Sequence, residues 1–369
     1  MAVAGCAAAG GSADRPPVPS GAPTPTPATT SAPSGTWRPV PEPPVKASYG
    51  GFVEVWSGTE LLVFAAVSRG GMEGPIVSGV GAAYNPARNT WRTLPAFPYK
   101  VTSSEGGIRA VWDGTEMLIW GQANGAYDPA TDRWRPLRAP IIGAASITLW
   151  TGRQVIMWGG GCCDDALSDG AVYDVAHDAW QRIPASPLPG RHSNAVWTGT
   201  EMVIVGGVGI EGTFLDDAAA YNPSTRTWRR LPALPAPRAR ASITWTGAEV
   251  VIAGGIGSFR SPPYADAMAY NPATNQWRRL AAMPENRHTH CAVWTGQQLL
   301  AVGGQTAPEG KEPGSSLPQS RGWSYDLTSD HWSTLPASPP SAHSATGCVW
   351  TGNVMIVLSS NGGAIYTPR

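Results

Sequence analysis

Charge is scarce in this chain. Of its 369 residues only 14% are Asp, Glu, Lys or Arg, against roughly a quarter in ordinary soluble proteins. The 26 basic side chains are balanced by 26 acidic ones, so the basic footprint of a nucleic-acid-binding protein is missing. No run of 18 apolar residues occurs, which excludes a helical membrane span. Phe is rare, five in all, beside 17 Trp. In their place stand 44 Gly and 36 Pro, a composition hostile to long helices. At about 150 residues per domain the length suggests two units, but all-β barrels and sandwiches often run longer as one. The expected core is large and β.

Residues 12–35, SADRPPVPSGAPTPTPATTSAPSG, offer almost nothing to bury and read as an extended, solvated spacer. Before them sits Val3-Ala4-Gly5-Cys6. Small residues leading into a Cys resemble a bacterial lipobox, in which the Cys thiol carries a diacylglycerol. The resemblance implies lipidation at Cys6 and an extracytoplasmic, cell-envelope location. An export signal needs a charged start and 7–15 apolar residues, whereas five residues precede Cys6. The lipobox reading therefore expects a start further upstream or a trimmed signal; a chance Ala/Gly-rich terminus is the alternative. The division expected is a tether over 1–34 and a folded unit over 35–369.

Internal repeats dominate the remainder. Trp-x-Gly anchors begin at Trp56, Trp112, Trp150, Trp197, Trp245, Trp294 and Trp350, spaced by 56, 38, 47, 48, 49 and 56 residues. After each of the first six comes a Tyr followed seven residues later by a Trp: 84/91, 127/134, 173/180, 221/228, 270/277 and 325/332. Residues 190–235 show one unit. Ser193 to Trp197 makes a first strand, a, and Thr198-Gly199-Thr200 a tight turn. Glu201 to Val205 makes strand b, expected to stop at Gly206-Gly207. Ala218 to Tyr221 makes strand c, and a turn at Asn222-Pro223-Ser224-Thr225 leads to strand d around Trp228. Such a sheet cannot bury both faces alone, so the units must stack face to face.

The double Gly, then Tyr, then Trp at fixed offset, with a period near 50, resembles kelch repeats. The resemblance covers residues 35–369 and implies an all-β, seven-bladed β-propeller of four-stranded antiparallel blades, related to the galactose-oxidase-like rings. Ala65-Ala66, Gly121-Gln122 and Ser359-Ser360 depart from the Gly pair. The seventh unit ends at Arg369 before any strand d, while Thr36-Trp37-Arg38 copies Thr227-Trp228-Arg229. An N-terminal strand near Trp37 should therefore complete the C-terminal blade. Two Trp per blade account for 14 of the 17.

Alternating strands put the short a–b and c–d hairpins on one face and the d–a and b–c connections on the other. The b–c connections vary from six residues (121 to 127) to 22 (303 to 325), and variable loops on a rigid scaffold are where binding usually resides. Ligand-binding candidates on this face are Arg191, His192, Arg240, Arg287, His288, His290 and His343, with Arg238 beside them. Arg suits a carboxylate, sugar acid or phosphate, or else ties loops to neighbouring carbonyls. His288 and His290, two apart, would share one face of a strand and form the one metal candidate. Asp169, Asp217 and Asp266 each lie four residues before a repeat Tyr, and read as turn caps or, alternatively, calcium ligands. The pair Asp164-Asp165 does not recur. Galactose-oxidase-like enzymes bind copper through His and Tyr, but Tyr49, Tyr99 and Tyr264 match no such motif. No Gly-rich phosphate cradle leads into a helix, because the Gly pairs read as strand ends, and no Gly-x-Ser-x-Gly elbow stands in a strand–turn–helix context.

Setting Cys6 aside leaves Cys162, Cys163, Cys291 and Cys348. Cys291 lies three residues before its Trp and Cys348 two before its own; that opposite parity lets them face each other across adjacent inner strands. A 291–348 bridge, a vicinal 162–163 bridge and free thiols all stay open. The functional expectation is a monomeric, lipid-anchored binding module for a protein or carbohydrate, without a cofactor and with the lipid as its sole membrane contact. The alternative is an enzyme on the same ring, a copper radical oxidase or a sugar-acid isomerase.

Overall fold

The computed structural model describes residues 35–47, 52–68, 76–102, 107–143, 147–161, 166–306, 317–343, 347–359 and 362–369. Cys6, the 1–34 tether, Tyr49, Cys162, Cys163, Asp164 and Asp165 lie outside the described residues.

Seven four-stranded antiparallel sheets are present, each ordered a–b–c–d. The a strands are Val53–Trp56, Ile108–Trp112, Ile147–Trp150, Arg191–Trp197, Ser242–Trp245, Cys291–Trp294 and Gly347–Trp350, starting blades 1 to 7 in turn. Each touches the next, and the last returns to the first, so the sheets form a ring with the a strands innermost. Blade 7 is completed as expected. Thr36–Val40 pairs antiparallel with Gly362–Thr367, Trp37 opposite Tyr366.

Alternation explains the stacking. In blade 4, Val203 and Val205 of strand b pack on Val250 and Ile252 of blade 5, while Met202 and Ile204 pack on Ile156 and Trp158 of blade 3. Strand b is thus buried on both faces, at about 1.5–3 kcal/mol per large apolar side chain.

The Tyr and Trp of strands c and d are cross-strand neighbours, with ring centroids 4.7–5.2 Å apart in all seven blades. Each strand-d indole N–H then donates to a carbonyl of the preceding blade, over 2.7–3.0 Å. Trp228 reaches Pro184 O and Trp37 reaches Pro336 O. The three Trp outside the pattern, Trp120, Trp158 and Trp323, are among the largest fully buried side chains.

On the hairpin face, the Arg after the strand-d Trp grips a Glu of its own a–b turn. Arg92, Arg135, Arg229 and Arg278 bind Glu60, Glu116, Glu201 and Glu249 at 2.5–2.7 Å. Arg92 and Arg229 also reach the repeat Tyr hydroxyl of the next blade, at 2.9 and 3.0 Å.

One local expectation is overturned. Strand b of blade 4 does not stop at Gly206-Gly207 but runs from Met202 to Gly209, and strand c starts early, at Phe214. The Gly pair makes a bulge in the ladder, with φ of 57° and 115°, conformations that only Gly adopts cheaply. Where Ala65-Ala66 replaces the pair, strand b of blade 1 keeps regular register through both residues.

Candidate functional site at the loop-rich face

The Gly pair and the arginines belong to one device. Arg191, Arg238 and Arg287 each donate from Nη1 to the carbonyl of the first Gly of their own blade, Gly206, Gly254 and Gly303, at 3.1, 2.6 and 2.9 Å. The Arg238 and Arg287 carbonyls in turn accept from Gly207 and Gly255 N–H of the preceding blade, at 2.8 and 2.7 Å. All three side chains are buried, and a buried guanidinium needs a counter-charge. Asp217 supplies it to Arg191 at 2.5 and 3.0 Å, and Asp266 to Arg238 at 2.8 and 2.7 Å. Arg287 makes do with Glu285 at 3.4 Å and the Arg321 carbonyl at 2.6 Å, stacked 3.9 Å over the Trp323 ring. Burial holds its pKa down at about 10.

Arg191 and Arg287 therefore turn their guanidinium groups inward, onto groups of their own blades, and it is the Arg238 and Arg287 carbonyls that tie one blade to the one before. Asp217 and Asp266 are the counter-ions of Arg191 and Arg238 rather than turn caps. Asp169, at the same repeat position, pairs with Arg182 at 3.1 Å.

A cavity of about 880 Å³ opens on this face, lined mainly by blades 4, 5 and 6. His192, Arg240 and His290 line it, together with Arg109, Phe259, Thr289 and Gln305. No Asp or Glu is among its lining residues. Arg240 is exposed, and its guanidinium lies 5.2 Å from the Phe259 ring centre. Arg109 stands on strand a of blade 2, and its Nη1 donates to the Ile108 carbonyl, 3.0 Å away. Burial lowers its pKa. His290 is 5% exposed, and neither ring nitrogen has a hydrogen-bond partner. Burial first, then Arg287 and His288, pull its pKa down to about 3, so it is a neutral donor and acceptor at physiological pH.

His288 and His290 do not share a strand face. Thr289 between them sits at φ 53°, and strand a of blade 6 begins only at Cys291. His290 faces the cavity, whereas the His288 ring bonds Thr289 Oγ1 at 2.8 Å. Alternation requires extended backbone, and a left-handed residue breaks it. Among the described residues no cluster of three or more His, Cys, Asp or Glu could hold a metal. His343 lies elsewhere, its Nε2 3.0 Å from the Ser338 carbonyl. Tyr99 and Tyr264 donate to the Trp134 and Pro237 carbonyls, and Tyr264 stacks on Arg238.

Cys291 and Cys348 are joined in a disulfide between the innermost strands of blades 6 and 7, with Cα atoms 5.9 Å apart. Arg109, Phe259 and Gln305 are cavity residues that the sequence did not single out. Arg109 carried a usable signal: it is the one cation among the seven residues three places before a Trp-x-Gly anchor.

Seven four-stranded blades, latched by one strand from the N-terminal end and signed by Gly-Gly, Tyr and Trp, define a kelch-type β-propeller. The chain belongs to the kelch-repeat family. The family model described as the KLHDC2/KLHL20/DRC7 Kelch-repeats domain matches residues 144–363, more than half of the chain. No curated protein matches it.

Proposed function

We propose that this propeller is an extracytoplasmic binding module, held to the membrane by lipid on Cys6, whose loop-rich face takes an anionic group of a protein or carbohydrate. Kelch propellers generally mediate protein binding. The observation that carries the ligand's sign is the cavity lining: among the described residues Arg109 and Arg240 have no carboxylate partner, and no Asp or Glu lines the cavity beside them. Its volume suits a small ligand or one anchoring residue of a larger one.

The test is calorimetric titration of the full chain with trigalacturonic acid and with a hexaglutamate peptide. Arg240→Ala and Arg109→Ala should each weaken binding roughly ten- to a hundredfold and barely move the melting temperature. Arg191→Ala should instead lower stability by roughly 1.5–3 kcal/mol and leave affinity per folded molecule intact. Equal binding of neutral galactotriose would sink the anionic reading. Cys6→Ser should release the protein from the membrane fraction.

A further inference from the structure

The hairpin face carries a second cavity, at the seam between blades 3 and 4, of about 650 Å³. This seam departs from the repeat at several positions together, and one of the departing residues, Gln154, lines the cavity. At four seams an Arg–Glu pair occupies this position: Arg92–Glu60, Arg135–Glu116, Arg229–Glu201 and Arg278–Glu249. Arg92 and Arg229 extend from it to the Tyr hydroxyl of the next blade and the Asp or Asn that this hydroxyl bonds. In blade 3 the Arg position is Gln181 and the Glu position is Gln154. In blade 4 the residue five after the repeat Tyr is Arg226, where blades 1, 2, 3, 5 and 6 have Asn89, Asp132, Asp178, Asn275 and Asp330. Arg226 turns away to the Arg182 carbonyl, 3.1 Å distant.

Three substitutions at one seam thus remove the Arg, the Glu and the Asp or Asn of the bridge and leave only its Tyr. Tyr221 is buried, yet its hydroxyl lacks the partner that Tyr84, Tyr127, Tyr173, Tyr270 and Tyr325 have. The seam between blades 6 and 7 also lacks the Arg–Glu pair, with Gln298 and Ser333, but there the strand-d Trp is Trp37 and blade 7 has no c–d turn.

The lining left behind is chemically distinctive. The half-buried Trp197 stands beside Gln154, Asn222, Thr200 and Ser224. Asp174 and His177 at the edge are paired with each other at 2.8 Å, and Arg153 is exposed at the rim. An indole next to neutral amides and hydroxyls matches a pyranose, which offers an apolar C–H face and a girdle of hydroxyls; pockets of this size and make-up hold such ligands. We propose that this groove is a second, independent site that takes a neutral saccharide.

The experiment is calorimetric titration of the full chain with the β-1,4-linked hexasaccharides of glucose, mannose, xylose and N-acetylglucosamine. At least one should bind, and Arg240→Ala on the opposite face should leave that affinity unchanged. The repeat-restoring triple variant Gln154→Glu, Gln181→Arg, Arg226→Asn should rebuild the bridge, raise the melting temperature and weaken saccharide binding at least tenfold. Should that variant fold poorly, Ser224→Trp in the exposed turn should obstruct the groove with the same loss of affinity. Binding of none of the four sugars, unchanged affinity in the restored or obstructed groove, or loss with Arg240→Ala would each overturn the proposal.

Discussion

Single residues at the inner ring behave according to what the neighbouring blade places opposite them. The residue three before an anchor Trp in one blade meets the residue two before it in the next, which is how Cys291 comes to meet Cys348. One blade further on, the same rule sets Gly347 against Glu54, and a Cβ on Gly347 would collide with that carboxylate. Burial raises the Glu54 pKa to about 7, above the roughly 4.3 of an unfolded chain. The folded state therefore holds a proton that the unfolded state releases first. The stability from this group is full below about pH 4.3 and is lost as pH rises through 7. Glu54→Gln should flatten that slope, so melting curves of the two proteins from pH 4 to 8 should converge at the acid end and favour the variant at the alkaline end. A constant offset across the range would contradict it. Roles at this scale were half legible. The positions of Arg191, Arg238 and Arg287 were visible in the repeat, but their inward orientation was not, because it depends on Asp217, Asp266 and carbonyls that only the fold brings near.

Strands were read well where alternation and turn chemistry agreed, as in the Trp-x-Gly hairpins, and less well where Gly carried a second meaning. Gly206-Gly207 looks like a strand end in sequence, since both terminators and bulges use Gly; the deciding contact is the Arg238 carbonyl from the next blade, 31 residues from Gly207. The disulfide acts at this scale too, because it ties blade 6 to a blade whose last strand comes from the far end of the chain. Closing a loop with a sequence separation of 57 residues constrains the unfolded chain by about 4 kcal/mol. The Cys291→Ala, Cys348→Ala double variant should show a lower denaturant midpoint than the oxidised protein, equivalent to a stability loss of up to about 4 kcal/mol, and no further change with reductant. An unchanged midpoint would mean that the bridge contributes nothing to folding.

At the scale of the whole molecule, the number of blades, their stacking and their closure were all legible, since each blade states the same pattern and the gap in the last is filled by the first strand. The 880 Å³ cavity was not, since it depends on how far each loop leans over the channel. Removing residues 1–41 takes away Thr36–Val40 and should strongly destabilise the ring, because it exposes the outer edge of blade 7 and cuts the Trp37 bond to Pro336. Removing 7–33 should leave thermal unfolding nearly unchanged, because that composition buries little. Equal losses from the two deletions would refute closure by that strand.

The seven indole bonds have a property that none has alone. Each points from its blade to the one before, and Trp37 repeats the gesture across the junction of the chain ends. The circle of contacts therefore has a sense of rotation but no starting point. Thr36 lies opposite Thr367, and one residue inserted between Arg369 and Gly35 would restore the interval of seven from Tyr366 to Trp37. A circularly permuted polypeptide, opened at any other c–d turn and joined there, would spell the same ring.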